Sequence, residues 1–191
     1  MTENLIEKTP LAYSFPLLIK SLLYSPIVKN PDQEIVYRDS HRFTYREFEK
    51  RVCRLANALK KMGVKKGDTV AVMDFDSHRY LECFFAVPMI GAVLHTVNIK
   101  LSPQQIAYTV NHAEDDFILI NDELLPIVEQ IRAKIDSVQG YVILSDDNKD
   151  LSSPLHIIGE YEALLEAQSD SFDFEDLDEN TRATTFYTTG T

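Results

Sequence analysis

The chain reads as an α/β domain: a mainly parallel sheet with helices on both faces, preceded by an N-terminal arm and a β-hairpin. Three observations predict this. Short Val/Ile/Leu-rich runs alternate with segments of helical spacing, the rhythm of βαβ units. Thr69-Val70-Ala71-Val72-Met73 and Phe117-Ile118-Leu119-Ile120 are continuously apolar rather than alternating, as in strands covered on both faces. A chain of 191 residues that is 45% hydrophobic can also bury a sizeable core.

The elements follow in order. Residues 1–31 form a Pro-punctuated arm, whose Leu17, Leu18, Ile19, Leu22 and Leu23 predict a short packed helix. Residues 32–191 form the α/β unit. Glu34–Arg38 and His41–Tyr45 flank Asp39-Ser40 and predict a hairpin. Thr44 and Glu47 make a capping box, with Phe43 and Phe48 at the staple positions. Apolar residues from Tyr45 to Met62 continue at helical spacing, and Gly63 stops the helix.

After strand 69–73, Asp76 or Ser77 caps a helix from Tyr80 to about Ile90. It is apolar nearly all round, which predicts burial, and Pro88 bends it or ends it early. Strand 92–97 follows. Ser102, Pro103 and Gln105 start the next helix, which runs to about His112. Strand 117–120, helix 124–135, strand 141–144, a short helix 160–167 and a last strand 182–187 complete the pattern.

The composition excludes several classes. No run of about 18 apolar residues is present, so no membrane span is expected, and the apolar start lacks the basic flank of a secretion signal. Cys53 and Cys83 have no metal-type spacing and read as buried free thiols in a reducing cytoplasm. The formal charge is −11, and all of it lies between Asp146 and Glu179. That stretch reads as a solvated surface excursion, and the rest of the chain is neutral. Nucleic-acid binding, which needs a basic footprint, is not expected.

Chemistry concentrates at the end of the chain. A β-type run, Ala183 to Tyr187, delivers the backbone into Thr188-Thr189-Gly190-Thr191. In open α/β sheets, ligands bind beyond the carboxyl ends of strands. A hydroxyl- and Gly-rich turn there can present N–H groups to a phosphate. Taken alone the five residues fit an ordinary turn better than a phosphate loop, and no Walker A pattern occurs. The histidines at 41, 78, 95, 112 and 156 are scattered, and each reads as a surface or hydrogen-bonded structural residue. His95 stands out because it interrupts an apolar strand. Glu114-Asp115-Asp116 and Asp122-Glu123 read as solubilising loop and helix termini. A small signalling-type doubly wound domain is disfavoured because the Asp74/Asp76 region lacks a matching Lys on a later strand.

Three segments together resemble the adenylate-forming superfamily, in particular fatty acyl-CoA synthetases: Phe84 to Asn98, Leu101 to Asp115, and Tyr187-Thr188-Thr189-Gly190-Thr191. The last matches the opening of a signature loop that normally continues Thr-Gly-x-Pro-Lys-Gly.

The resemblance implies a ligase that activates a carboxylate with Mg-ATP as an acyl-adenylate and then forms a thioester with coenzyme A. It implies that Thr188, Thr189, Gly190 and Thr191 contact the ATP phosphates and that the Thr188 hydroxyl lies near Mg²⁺. It implies a fatty acid as substrate, with aryl or short-chain acids as alternatives, a cytoplasmic setting and a homodimer. The rest of such an active site lies beyond Thr191, so no catalytic residue is expected within this chain, and the chain alone is expected to be inactive. The competing reading is a non-catalytic α/β module that docks a partner through its acidic stretch.

Overall fold

The computed structural model describes residues 9–13, 15–147 and 152–188. Helix α1 (Ile19–Lys29) ends the arm. Strands β1 (Glu34–Tyr37) and β2 (His41–Thr44) form the antiparallel hairpin. Then follow α2 (Tyr45–Met62), β3 (Thr69–Met73), α3 (His78–Met89), β4 (Val93–Thr96), α4 (Pro103–Ala113), β5 (Asp115–Asn121), α5 (Leu125–Ile131), β6 (Gly140–Leu144), β7 (Ile157–Glu160), α6 (Tyr161–Glu166) and β8 (Thr184–Phe186).

Six strands form one sheet in the order β7-β6-β5-β3-β4-β8, and every neighbouring pair is parallel. Alternate residues of each strand feed two separate cores, as the two-residue side-chain period requires. Val70, Val72, Leu94, Phe117 and Leu119 face α1, α2, α3 and α6. Ala71, Met73, Ile118, Ile120 and Ile143 face α4 and α5. The predicted α/β class with helices on both faces is therefore the observed one.

The helix ends match their signals. Thr44 and Glu47 bond reciprocally at the start of α2, and Ser102 and Gln105 do so at α4. Gly63 adopts φ 100°, and the Val64 N–H donates to the Leu59 carbonyl at 3.0 Å, closing a Schellman ending. Ser77, not Asp76, caps α3.

Four expectations change. The hairpin turn is centred on Arg38 and Asp39, both at positive φ, rather than on Asp39-Ser40. Helix 124–135 is a short α5 between two 3₁₀ turns. Strand β7 carries no strong apolar run, because it is a short edge strand and only half-buried. Helix α3 is not buried all round: Leu81 and Phe84 remain 36% and 45% exposed, while Arg79 and Glu82 are buried.

The acidic stretch is more ordered than a solvated excursion. Its first part holds β7 and α6, and its second part is a strap across α1, α2 and α3. Phe172 and Phe174 pack on the first core. Lys20 pairs with Asp176 at 2.5 Å, Lys50 with Asp170 at 3.6 Å, and Lys66 with Glu175. Asn57 donates to the carbonyls of Ser169 and Ser171 at 3.0 Å each. Three acids of the strap are thus paired with lysines of the chain.

Candidate functional site

The carboxyl ends of the parallel strands bring together Asp74, Val97–Lys100, Asn121–Asp122, Ser145–Asp146 and Tyr187–Thr188. The chain reverses direction across the sheet between β3 and β5, where such sheets form their ligand crevice. Here that crevice is closed by its own side chains. Asn121 donates to Asp74 Oδ1 at 2.9 Å, and the Ser77 hydroxyl donates to the other oxygen of Asp74. Ser145 donates to Asp122 at 2.7 Å. The open depression lies one strand further along, between the ends of β3 and β4. It is lined by Phe75, Asp76, Tyr80, Val97, Asn98 and Lys100.

Strand β8 extends the sheet on the far side of β4. Leu94 N–H donates to the Ala183 carbonyl at 3.0 Å, and the Thr184 hydroxyl donates to the Leu94 carbonyl at 2.8 Å. These bonds aim the backbone at the carboxyl edge and deliver Thr188 there, exposed. Of the four predicted phosphate-contacting residues, Thr188 alone is described; Thr189, Gly190 and Thr191 lie outside the described residues.

Tyr187 is set by two histidines. Its ring meets His95 edge-on at 5.3 Å and His112 at 5.7 Å, and its hydroxyl lies 2.8 Å from His112 Nδ1. His95 is fully buried, and its Nδ1 lies 3.0 and 2.8 Å from the two oxygens of Asp115, itself fully buried. The pair spans β3, because His95 is on β4 and Asp115 on β5. Ala71, the register partner of His95, is small enough to let the imidazole cross. Burial raises the Asp115 carboxyl above the usual carboxylate range, and the His95 hydrogen bond pulls it back. Asp115 is therefore not the solubilising residue the sequence suggests. Asp116 is not one either: it accepts from the Thr69 N–H and from Gln139, each at 2.9 Å.

A second polar cluster joins α2, α3, α6 and the end of β6. Arg51 contacts Glu82 at 2.6 and 3.3 Å and Glu162 at 2.8 and 3.0 Å. Arg79 reaches Glu162 at 2.9 Å, Asp146 at 2.7 Å and the Ser145 carbonyl at 2.9 Å. The Tyr161 hydroxyl donates to Glu82 at 2.6 Å. Burial alone would raise Glu162, but hydrogen bonds from His78, Arg51 and Arg79 outweigh it and hold this carboxyl far below its usual range. Its guanidinium–carboxylate forks lock the helices to the sheet; it is a framework rather than a reaction centre. The sequence signal lay in Arg51 and Glu82, charged residues set inside the apolar stripes of their helices. Among the described residues no group of three or more His, Cys, Asp or Glu could hold a metal ion.

Comparison with known proteins matches residues 25–191 to the family model described as AMP-binding enzyme. A long-chain-fatty-acid–CoA ligase of Thermus thermophilus is 47% identical over 118 residues, covering 60% of this chain and 22% of that protein. A medium-chain-fatty-acid–CoA ligase of Ectopseudomonas oleovorans is 36% identical over 150 residues, covering 78% of this chain and 28% of that one. A solved anthranilate CoA ligase in complex with anthranoyl-AMP superposes with a TM-score of 0.80 at 18% identity, over 89% of this chain and 32% of that one, and supports the fold. The chain thus spans about a quarter to a third of the length of these relatives. A family match that begins in α1 and runs through the strand leading to Thr188 settles the membership: this chain belongs to the AMP-binding enzyme family.

Proposed function

We propose that the chain is the amino-terminal portion of an ATP-dependent fatty acid–CoA ligase, and that its contribution to catalysis is to launch the ATP-phosphate loop from the end of β8. The observation that carries this reading is an edge strand held parallel to β4, which ends in an exposed Thr188 at the carboxyl rim of the sheet. The names of the relatives, a long-chain and a medium-chain fatty acid ligase, support a fatty acid as the substrate class. Relatives named for 4-hydroxybutyrate and trans-cinnamate keep short-chain and aryl acids as the alternatives.

In this reading the acid's carboxylate attacks the α-phosphorus of ATP. Pyrophosphate leaves, and the coenzyme A thiol then displaces AMP from the acyl-adenylate. Such a step requires positioning and neutralisation of phosphate charge more than a protein nucleophile. Thr188 would offer an accessible hydroxyl to Mg²⁺ and the phosphates, Thr189 and Thr191 would add further hydroxyls, and Gly190 would add its backbone N–H. The catalytic acid-binding and lysine functions lie outside the chain, so these 191 residues alone are inactive. The reading extends to a homodimer, supported by the exposed Leu11, Tyr13 and Phe15 of the arm. A cytoplasmic setting is supported by two buried free thiols and by the lack, among the described residues, of a helix long and apolar enough to cross a membrane.

The test is thioester formation by the protein translated from the complete reading frame, with long-chain, medium-chain, short-chain and aryl acids compared. The expected result is ATP-dependent acyl-CoA formation fastest with a fatty acid, and none from the 191-residue chain. Preference for an aryl acid would move the substrate class; activity of the 191-residue chain would overturn the division of labour.

A further inference from the structure

We propose that His95, held by Asp115, is a positioning residue for the adenylation half-reaction: it sets Tyr187 and thereby the direction in which Thr188 enters the phosphate loop. The inference rests on the ligase reading above. A histidine within a parallel strand needs a reason, because an imidazole buried in an apolar layer loses its water hydrogen bonds. Leucine or valine would fill the same space without that cost. Half of the cost is offset by Asp115, which takes the Nδ1 side of the ring at 2.8 and 3.0 Å and fixes its plane. The other ring nitrogen, Nε2, is buried and has no partner among the described residues.

The fixed imidazole supports the residue that matters. Tyr187 meets its ring edge-on at 5.3 Å and is tied at its hydroxyl to His112 at 2.8 Å; His112 in turn stacks on Tyr108 at 5.6 Å. Tyr187 is therefore held at the ring by β4 and at the hydroxyl by α4. It is the last residue before Thr188, so a rotation of its backbone turns the Thr188 hydroxyl directly. The chain places a hydrogen-bonded His–Asp pair, spanning three strands, beneath the point where β8 stops pairing.

The phosphate loop is needed while ATP reacts and is idle once the acyl-adenylate exists. A positioning role therefore predicts a split between half-reactions, which a loss of fold would not produce. The experiment uses the protein from the complete reading frame. Acid-dependent ATP–pyrophosphate exchange reports the first half-reaction, and thioester formation from supplied acyl-adenylate and coenzyme A reports the second. In His95→Asn the amide keeps a donor for Asp115 but loses the ring edge under Tyr187. Exchange should fall about tenfold or more, in line with the sensitivity of such steps to sub-ångström placement, while the second half-reaction stays within about twofold of wild type. Tyr187→Leu, at a half-exposed position that leaves the buried pair intact, should show the same split and covers the case in which His95→Asn does not fold. Equal loss in both half-reactions by a folded variant, or no loss in either, overturns the inference. A wild-type protein that performs neither half-reaction overturns the ligase reading and takes the inference with it.

Discussion

Replacing Arg51 by Met should be the most damaging single change to the framework. The Glu82 carboxylate is completely buried, and its charge is balanced by the Arg51 guanidinium at 2.6 Å, which is itself only 22% exposed. Removing one partner of such a pair leaves an uncompensated buried charge and costs about 3–5 kcal/mol. That is a large share of the roughly 5–15 kcal/mol by which domains are stable. For a chain of this size it corresponds to a midpoint shift of roughly 6–20 °C.

The cause can be separated from lost packing. Arg51→Met combined with Glu82→Gln removes the charge but keeps an acceptor for the Tyr161 hydroxyl, so the double variant should recover at least half of the loss. The pH dependence has a defined sign. Burial raises the Glu82 carboxyl in the native state, and Arg51 opposes that rise. Without Arg51 the folded-state value climbs further above the unfolded one, so protonation favours the native state. The single variant should therefore gain on wild type as pH falls from 8 towards 5. Urea unfolding followed by circular dichroism at several pH values measures both effects. A double variant no more stable than the single one, or a loss independent of pH, would refute the reasoning.

Three further outcomes are expected. Glu162→Gln should be less stable than wild type near pH 7, with the difference shrinking below about pH 4.3, where the unfolded carboxyl protonates; its depressed native-state value places that contribution above the unfolded value and removes it on acidification, which acid titration of unfolding checks. Thr44→Ala should cost about 1 kcal/mol by deleting the bond that the Thr44 hydroxyl accepts from the Glu47 N–H at the start of α2, readable as a melting-point shift; an unchanged midpoint would contradict the assignment. Phe172→Ala with Phe174→Ala should expose residues 169–183 to limited proteolysis, whereas Lys66→Ala should not, since an ion pair that is 56% and 69% exposed contributes little.

The parallel sheet was legible because β3, β5 and β6 are apolar on both faces, and the helices were legible at Thr44, Ser102 and Gly63, where local chemistry alone decides the boundary. β7 was not, because it is a half-buried edge strand whose pairing comes from β6 rather than from its own pattern. The docking of the acidic strap was hidden for a related reason: its partners Lys20, Lys50 and Lys66 lie more than a hundred residues away along the chain. At the candidate site, the strand that ends just before Thr188 was legible from the β-type run Ala183 to Tyr187. His95 was noticed only as an interruption of an apolar strand, and the carboxylate that explains it sits two strands over in space. No spacing rule links positions 95 and 115, since the crossover helix between them sets the register.

The measurement that bears most directly on the central claim is fatty-acid-dependent ATP–pyrophosphate exchange by the protein from the complete reading frame, wild type against Thr188→Ala. The account predicts exchange by wild type only when acid is present, and a loss of about a hundredfold when the hydroxyl proposed to meet the phosphates is removed. Exchange that needs no acid, or a Thr188→Ala protein that exchanges as fast as wild type, would contradict it.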